Sequence, residues 1–149
     1  MNETLTILKS TSITILSATV ILVISQFLNN FLFAALKEYQ TIKGKISYTL
    51  IYTGNLYGIA NAKSKKNDIT QTVNDGAIEL RKLACSLIEI HQTIPFKQLL
   101  TILHIVPSVE KIKKVSGNII GLSNLLFEDD PWDDKNEKYI EIKDLLNIL

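Results

Sequence analysis

The side chains with the greatest chemical range in this chain are few: one arginine, Arg81, two histidines, His91 and His104, and one cysteine, Cys85. A lone thiol closes no internal disulfide and builds no multi-thiolate metal site, and Cys85 stands among apolar residues, so it reads as a small buried hydrophobe. His91 shares the helical phase of Leu80, Ala84 and Leu87, which marks it as a core or interface histidine rather than a free base. His104, between Leu103 and Ile105, gets the same reading. Arg81 is the single arginine in a chain that otherwise uses lysine. A position that demands arginine demands a planar fork, so a salt bridge fixing domain or subunit packing is the expected role. No closely spaced histidine or cysteine pair offers a metal site, and no glycine-rich turn offers a phosphate cradle. Neither a cofactor nor a small-molecule substrate is indicated, and the chain reads as non-enzymatic.

A second group of polar residues lies where polar residues are expensive. From Ser10 to Leu36 there is no charged side chain, and Ile13 to Leu36 is dominated by Ile, Leu, Val, Ala and Phe. As a helix this stretch is roughly 36 Å long, enough to cross ~30 Å of hydrocarbon. With no clear cleavage site and with Glu3 beside Lys9 ahead of it, it reads as a retained anchor rather than a signal peptide. At 100° per residue, Ser12, Thr19, Gln26, Asn30 and Lys37 fall within about 40° of one another, and Asn29 flanks them. An unpaired amide in hydrocarbon costs several kcal/mol, so Gln26 and Asn30 call for partners on another helix or for water. One span supplies no second helix. The stripe therefore predicts a homo-oligomer whose anchors meet there or line a narrow pore, with a partner protein's helix, or hydration near the interface, as the alternative.

The elements behind the anchor are helical by their apolar spacing. Lys37 onward continues the helix toward Ala62, with Tyr39, Tyr48, Tyr52 and Tyr57 suited to a membrane surface or an interface. Asn61 to Asp68 is a polar turn, with Asp68 as cap of the next helix. That helix buries Val73, Ala77, Leu80, Ala84, Leu87 and His91 and stops at Pro95. Phe96 to Val106 forms a short apolar helix before Pro107. Ser108 caps a helix that buries Val109, Ile112, Val115, Ile119 and Leu122. Gly44, Gly54, Gly58, Gly117 and Gly121 weaken these helices unless they serve close packing. Residues 128–137, with Trp132 among acidic side chains, read as an exposed acidic loop and a candidate partner handle. Residues 138–149 form a last amphipathic helix. The fold class is all-α: an anchor over 1–36, a cytoplasmic helical domain over 37–127 in a bundle of four or five helices, then the acidic loop and the final helix.

Composition agrees with that division. Of 149 residues 46% are hydrophobic, mean hydropathy is +0.18, and the excess is concentrated at the front. Net charge is +1, from 16 basic and 15 acidic side chains, which argues against direct nucleic-acid binding. Lysine follows the anchor at Lys37, Lys43 and Lys45 but precedes it only at Lys9, so the C-terminal domain is expected on the cytoplasmic side.

The segments Glu79-Leu80-Arg81-Lys82-Leu83-Ala84, Ile94-Pro95-Phe96, Val106-Pro107 and Ile120-Gly121-Leu122-Ser123-Asn124 give the chain a likeness. In that order it resembles small, largely uncharacterised bacterial single-pass membrane proteins with a helical cytoplasmic domain. Its build also resembles the membrane accessory proteins of phage-defence systems, including one associated with RNA-targeting CRISPR effectors, in which oligomers perturb the inner membrane. The resemblance implies an inner-membrane location and a protein partner within a defence system. Two readings of function follow: an oligomeric, pore-forming or membrane-perturbing effector, and a membrane-tethered adaptor that binds a partner through its tyrosines or Trp132. A membrane-bound helical ribonuclease is a weaker third. His91 comes ten residues after Arg81, about 80° further round the helix, not at the closer spacing of the helical ribonucleases of prokaryotic defence.

Overall fold

A computed structural model describes residues 2–54, 67–128 and 132–148, and among these all regular structure is helical. The first helix is a single rod. It runs as α1 (Asn2–Phe27), a π-helical turn (Leu28–Phe33) and α2 (Ala34–Gly54), with Phe27 and Ala34 both in right-handed helical geometry, so the chain crosses the π turn without breaking. Four helices follow: α3 (Asn67–Thr93), α4 (Lys97–Ile102), α5 (Val109–Leu125) and α6 (Trp132–Leu146).

Apolar side chains are spread round all sides of α1, and every one of its described side chains is exposed. Burial begins in the π turn, where Leu28 is half-buried. Leu32, Ala35 and Leu36 are half-buried against the core, and Tyr39, Ile42, Ile46 and Leu50 are buried in it. The bundle thus takes hold of the rod at Leu32, inside the span expected to be anchor. Burial in this apolar setting pushes the Tyr39 hydroxyl up to about 12.

α3 is the central helix, packed on α2 and α5; α6 packs on α5 and touches α2, which closes a four-helix bundle. The expected apolar face of α3 is all inside, from Val73 to His91. α5 buries Ile112, Val115, Ile119 and Leu122, as its spacing requires, while Val109, in the first turn, is largely exposed. Ser108 caps α5: its hydroxyl accepts from the Lys111 amide at 3.2 Å. α5 and α6 are also tied by Glu141, which pairs with Lys114 and accepts from Asn118 Nδ2 at 2.8 Å. The Lys114 contact is the main cause holding the Glu141 carboxyl below its usual range.

Several boundaries differ from the sequence reading. α3 already includes Asp68, so that residue does not cap it, and residues 61–66 of the expected turn lie outside the described residues with Tyr57 and Gly58. α6 begins at Trp132, well before residue 138, because Asp133 and Asp134 in its first turn are stabilised by the positive end of the helix dipole. The expected acidic loop is thereby reduced to the connection ahead of Trp132, of which 129–131 lie outside the description. α6 stops at Leu146, where Asn147 takes a left-handed conformation (φ 52°). Its amide donates to Asp144 O, and the Ile148 amide donates to Lys143 O. This pair of reverse bonds is a Schellman termination. α4 ends in the same way: His104 (φ 58°) donates to Thr101 O, and Ile105 to Leu100 O.

Candidate membrane-facing site at the base of the anchor

The polar residues of the first helix divide into two chemical groups. The hydroxyls bond to their own helix: Ser12 Oγ donates to Leu8 O at 2.8 Å, and Thr19 Oγ1 to Ile15 O at 2.9 Å. Such back-bonding removes the donor's need for a partner elsewhere. The amides are different. Gln26, Asn29 and Asn30 are exposed, and their side chains bond to no other described residue. They lie together, Gln26 in the last turn of α1 and the two asparagines in the π turn.

The π turn also alters the geometry of the stripe. A π turn holds one residue more than an α turn, so the helix beyond it lags by roughly one residue's step, ~100°. Ser12, Thr19 and Gln26 precede it and share a face; Lys37 follows it, is exposed, and is turned away from that line. The structure therefore gathers Gln26, Asn29 and Asn30 into one amide cluster, with Ser12 and Thr19 above them and Lys37 displaced. No feature of composition announces a π turn, so uniform spacing hides it.

Aromatic rings collect at the same level. Phe27 and Phe31 lie 5.1 Å apart between centroids, and Phe96, from the turn before α4, meets Phe27 edge-on at 6.5 Å. Phe96 is held at φ 53°, an uncommon conformation for a bulky residue.

Of the other sequence candidates whose side chains are described, none bonds to this cluster. Arg81 makes the two-pronged contact its uniqueness predicted, but with neutral oxygens in place of a carboxylate: Nε donates to Ser123 Oγ at 3.1 Å and Nη2 to Asn124 Oδ1 at 2.8 Å. It ties α3 to the end of α5. His91 is 2% exposed, and its Nε2 lies 2.9 Å from Pro107 O, which assigns the proton to Nε2. Arg81 and His91 are thus committed to different partners about 15 Å apart along α3. His104 is exposed, contrary to its core assignment, because it supplies the left-handed residue that ends α4. Cys85 is exposed too. It is one step of ~100° past Ala84, which turns it from the buried face to the outer one. The side chain of Trp132 lies outside the described residues.

Two features had no counterpart in the sequence reading. A cleft of about 390 Å³ is lined by Tyr39, Lys43, His104, Ser108 and Lys111 among others. Burial first, and the nearby Lys111 charge second, hold the Lys43 amine below the ordinary lysine range. A groove of about 540 Å³ between α2 and α3 is lined by Lys45, Tyr48, Tyr52, Asp75 and Glu79 among others, with the Tyr48 and Tyr52 rings stacked at 6.0 Å. Among the described residues, no group of His, Cys, Asp and Glu could hold a metal ion.

Among the described residues one helix, within Thr6–Gly54, is long and apolar enough to cross a membrane. Compared with known protein families, curated proteins and solved structures, the chain matches none.

Proposed function

We propose that this protein is a single-pass inner-membrane protein whose anchors assemble into a homo-oligomer through Gln26, Asn29 and Asn30, and that the assembled anchors perturb membrane permeability. The observation that carries this reading is the amide cluster: three adjacent amides, exposed and without an internal partner, on a helix whose surroundings are apolar. In a bilayer such groups find partners on neighbouring copies of the same helix, at about 1 kcal/mol for each interhelical hydrogen bond. Ser12 and Thr19, above them on the same face, present their oxygens to the same seam. The lysine asymmetry across the anchor supports a cytoplasmic bundle. There it acts to gather and orient anchors, and a defence-system partner is the class of signal that the build resembles.

The experiment is ion flux from vesicles reconstituted with the full chain, alongside the particle mass in detergent. The doubly substituted protein, Gln26→Leu with Asn30→Leu, is expected to shift toward monomer and to lose flux. A multimer of unchanged mass with undiminished flux would remove the basis for the reading.

A second reading, a membrane-tethered adaptor, is favoured by the stacked and exposed Tyr48 and Tyr52 beside the α2–α3 groove. Paired aromatic rings next to Asp75 and Glu79 suit a protein partner with apolar and basic side chains. Replacing both tyrosines by alanine would then abolish partner capture while leaving flux and oligomer mass intact.

A further inference from the structure

The segment from Phe96 to Val106 carries one unambiguous charge, Lys97, and turns an unusual amount of apolar surface outward. Phe96 is 59% exposed, Leu99 56%, Ile102 72% and Leu103 57%. The inner side of the same segment is well packed, with Leu100 and Val106 buried. α4 is therefore a short amphipathic element seated on the bundle by one face and open on the other. A cluster of large apolar side chains exposed on such a short stretch marks an interaction surface rather than ordinary solvent-facing structure.

Its position says which surface covers it. Phe96 rests edge-on against Phe27 of the rod, and Phe27 stands nine residues, about 14 Å, on the anchor side of Leu36. The exposed face of α4 thus starts beside the bare apolar surface of the anchor, with Phe96 at the level of Phe27 and the exposed Phe31 and Phe33 nearby, and descends to His104, which shares a cleft with Tyr39 and Lys43. The first lysines of the rod, Lys37 and Lys43, come after the level of Phe96, and Lys43 stands beside the far end of α4, as they would at a membrane boundary that α4 straddles. The end of α4 is also prepared for an apolar medium, since its Schellman bonds satisfy the carbonyls of Leu100 and Thr101. Lys97, half-buried at the start of the helix, has the long stem that lets an ammonium reach water from such a site.

We propose that α4 is a second membrane contact: it lies in the lipid at the base of the anchor, with Phe96, Leu99, Ile102 and Leu103 among the acyl chains, and seats the bundle against the bilayer. This inference rests on the reading that α1 spans the membrane, and the experiment separates the two. The full chain, carrying Cys85→Ser, is reconstituted in vesicles of phosphatidylcholine and phosphatidylglycerol. Single spin labels are placed at Leu99→Cys and Ile102→Cys, with references at Leu22→Cys in the anchor and Glu110→Cys on the bundle. Collisions with oxygen report lipid, and collisions with a water-soluble nickel chelate report solvent. Labels at 99 and 102 are expected to match the one at 22, with an oxygen-to-nickel ratio several-fold above that at 110. If 22 reads lipid while 99 and 102 read water, the α4 contact is overturned and the anchor stands. If 99 and 102 are shielded from both reagents, a second protein surface covers α4 and the lipid assignment is likewise overturned. If 22 itself reads water, the spanning reading fails and this inference fails with it.

Discussion

Arg81 shows what a single side chain contributes to this bundle. Its two prongs reach Ser123 and Asn124, so it joins the middle of α3 to the end of α5 through neutral acceptors. Lysine cannot reproduce that fork. Arg81→Lys is expected to destabilise the folded protein by about 1 kcal/mol, seen as a lower denaturation midpoint in detergent at unchanged helicity. Tyr39 gives a pH dependence of definite sign. Its hydroxyl is raised from 10.0 to about 12 by burial, so the folded state holds the proton more tightly than the unfolded state does. Its contribution is complete below pH 10 and is lost as pH rises through 12. Tyr39→Phe removes the titrating hydroxyl, and alkaline denaturation followed by circular dichroism should become less steep across that window.

The elements were legible to different degrees, and the reason is how each is held. Helices built on a regular apolar stripe could be read directly: Val73 to His91 in α3 and Ile112 to Leu122 in α5 are buried as their spacing dictates. Ends fixed by electrostatics or by a left-handed residue were harder. Asp133 and Asp134 look like loop composition until they are placed in the first turn of a helix, and Asn147 and His104 act through backbone conformation that periodicity does not carry. The amide cluster was legible as a polar stripe, but its phase past Leu28 was not, because the π turn changes the step on which the projection depends. Glycine was expected to weaken the helices or to serve close packing. A Cβ at Gly44, Gly54 or Gly117 would meet nothing within 4 Å, whereas at Gly121 it would meet the stem of Lys138 at 3.1 Å. Gly117→Ala is accordingly expected to stabilise the bundle by about 0.5–1 kcal/mol, measured by chemical denaturation.

At the scale of the molecule, the decisive fact is where the bundle meets the rod. Because burial starts at Leu28 and packing on the core at Leu32, the fully bare uncharged part runs from Ser10 to Phe27, about 27 Å of helix, and the partly covered stretch after it completes the ~30 Å of a hydrocarbon layer. On the proposed reading, Gln26, Asn29 and Asn30 then fall in the last turns of the span, at the level of Phe96, where neighbouring anchors and interfacial water would compete for them. Topology can be read with a reagent the chain already contains. Cys85 is the single cysteine and is exposed on the bundle. A membrane-impermeant maleimide should label it in inverted vesicles and spare it in intact spheroplasts. The reverse pattern would place the bundle outside.

The unbroken passage from α1 through the π turn into α2 makes the first helix a lever. A spanning helix tilts by ~20° on average, and more when the bilayer is thin. Gly54 lies about 40 Å beyond Phe27, so a tilt of that size swings the far end of the rod sideways by roughly 14 Å. On the reading that this helix spans the membrane, a change in bilayer thickness is expected to displace the far end of the rod parallel to the membrane plane without any ligand.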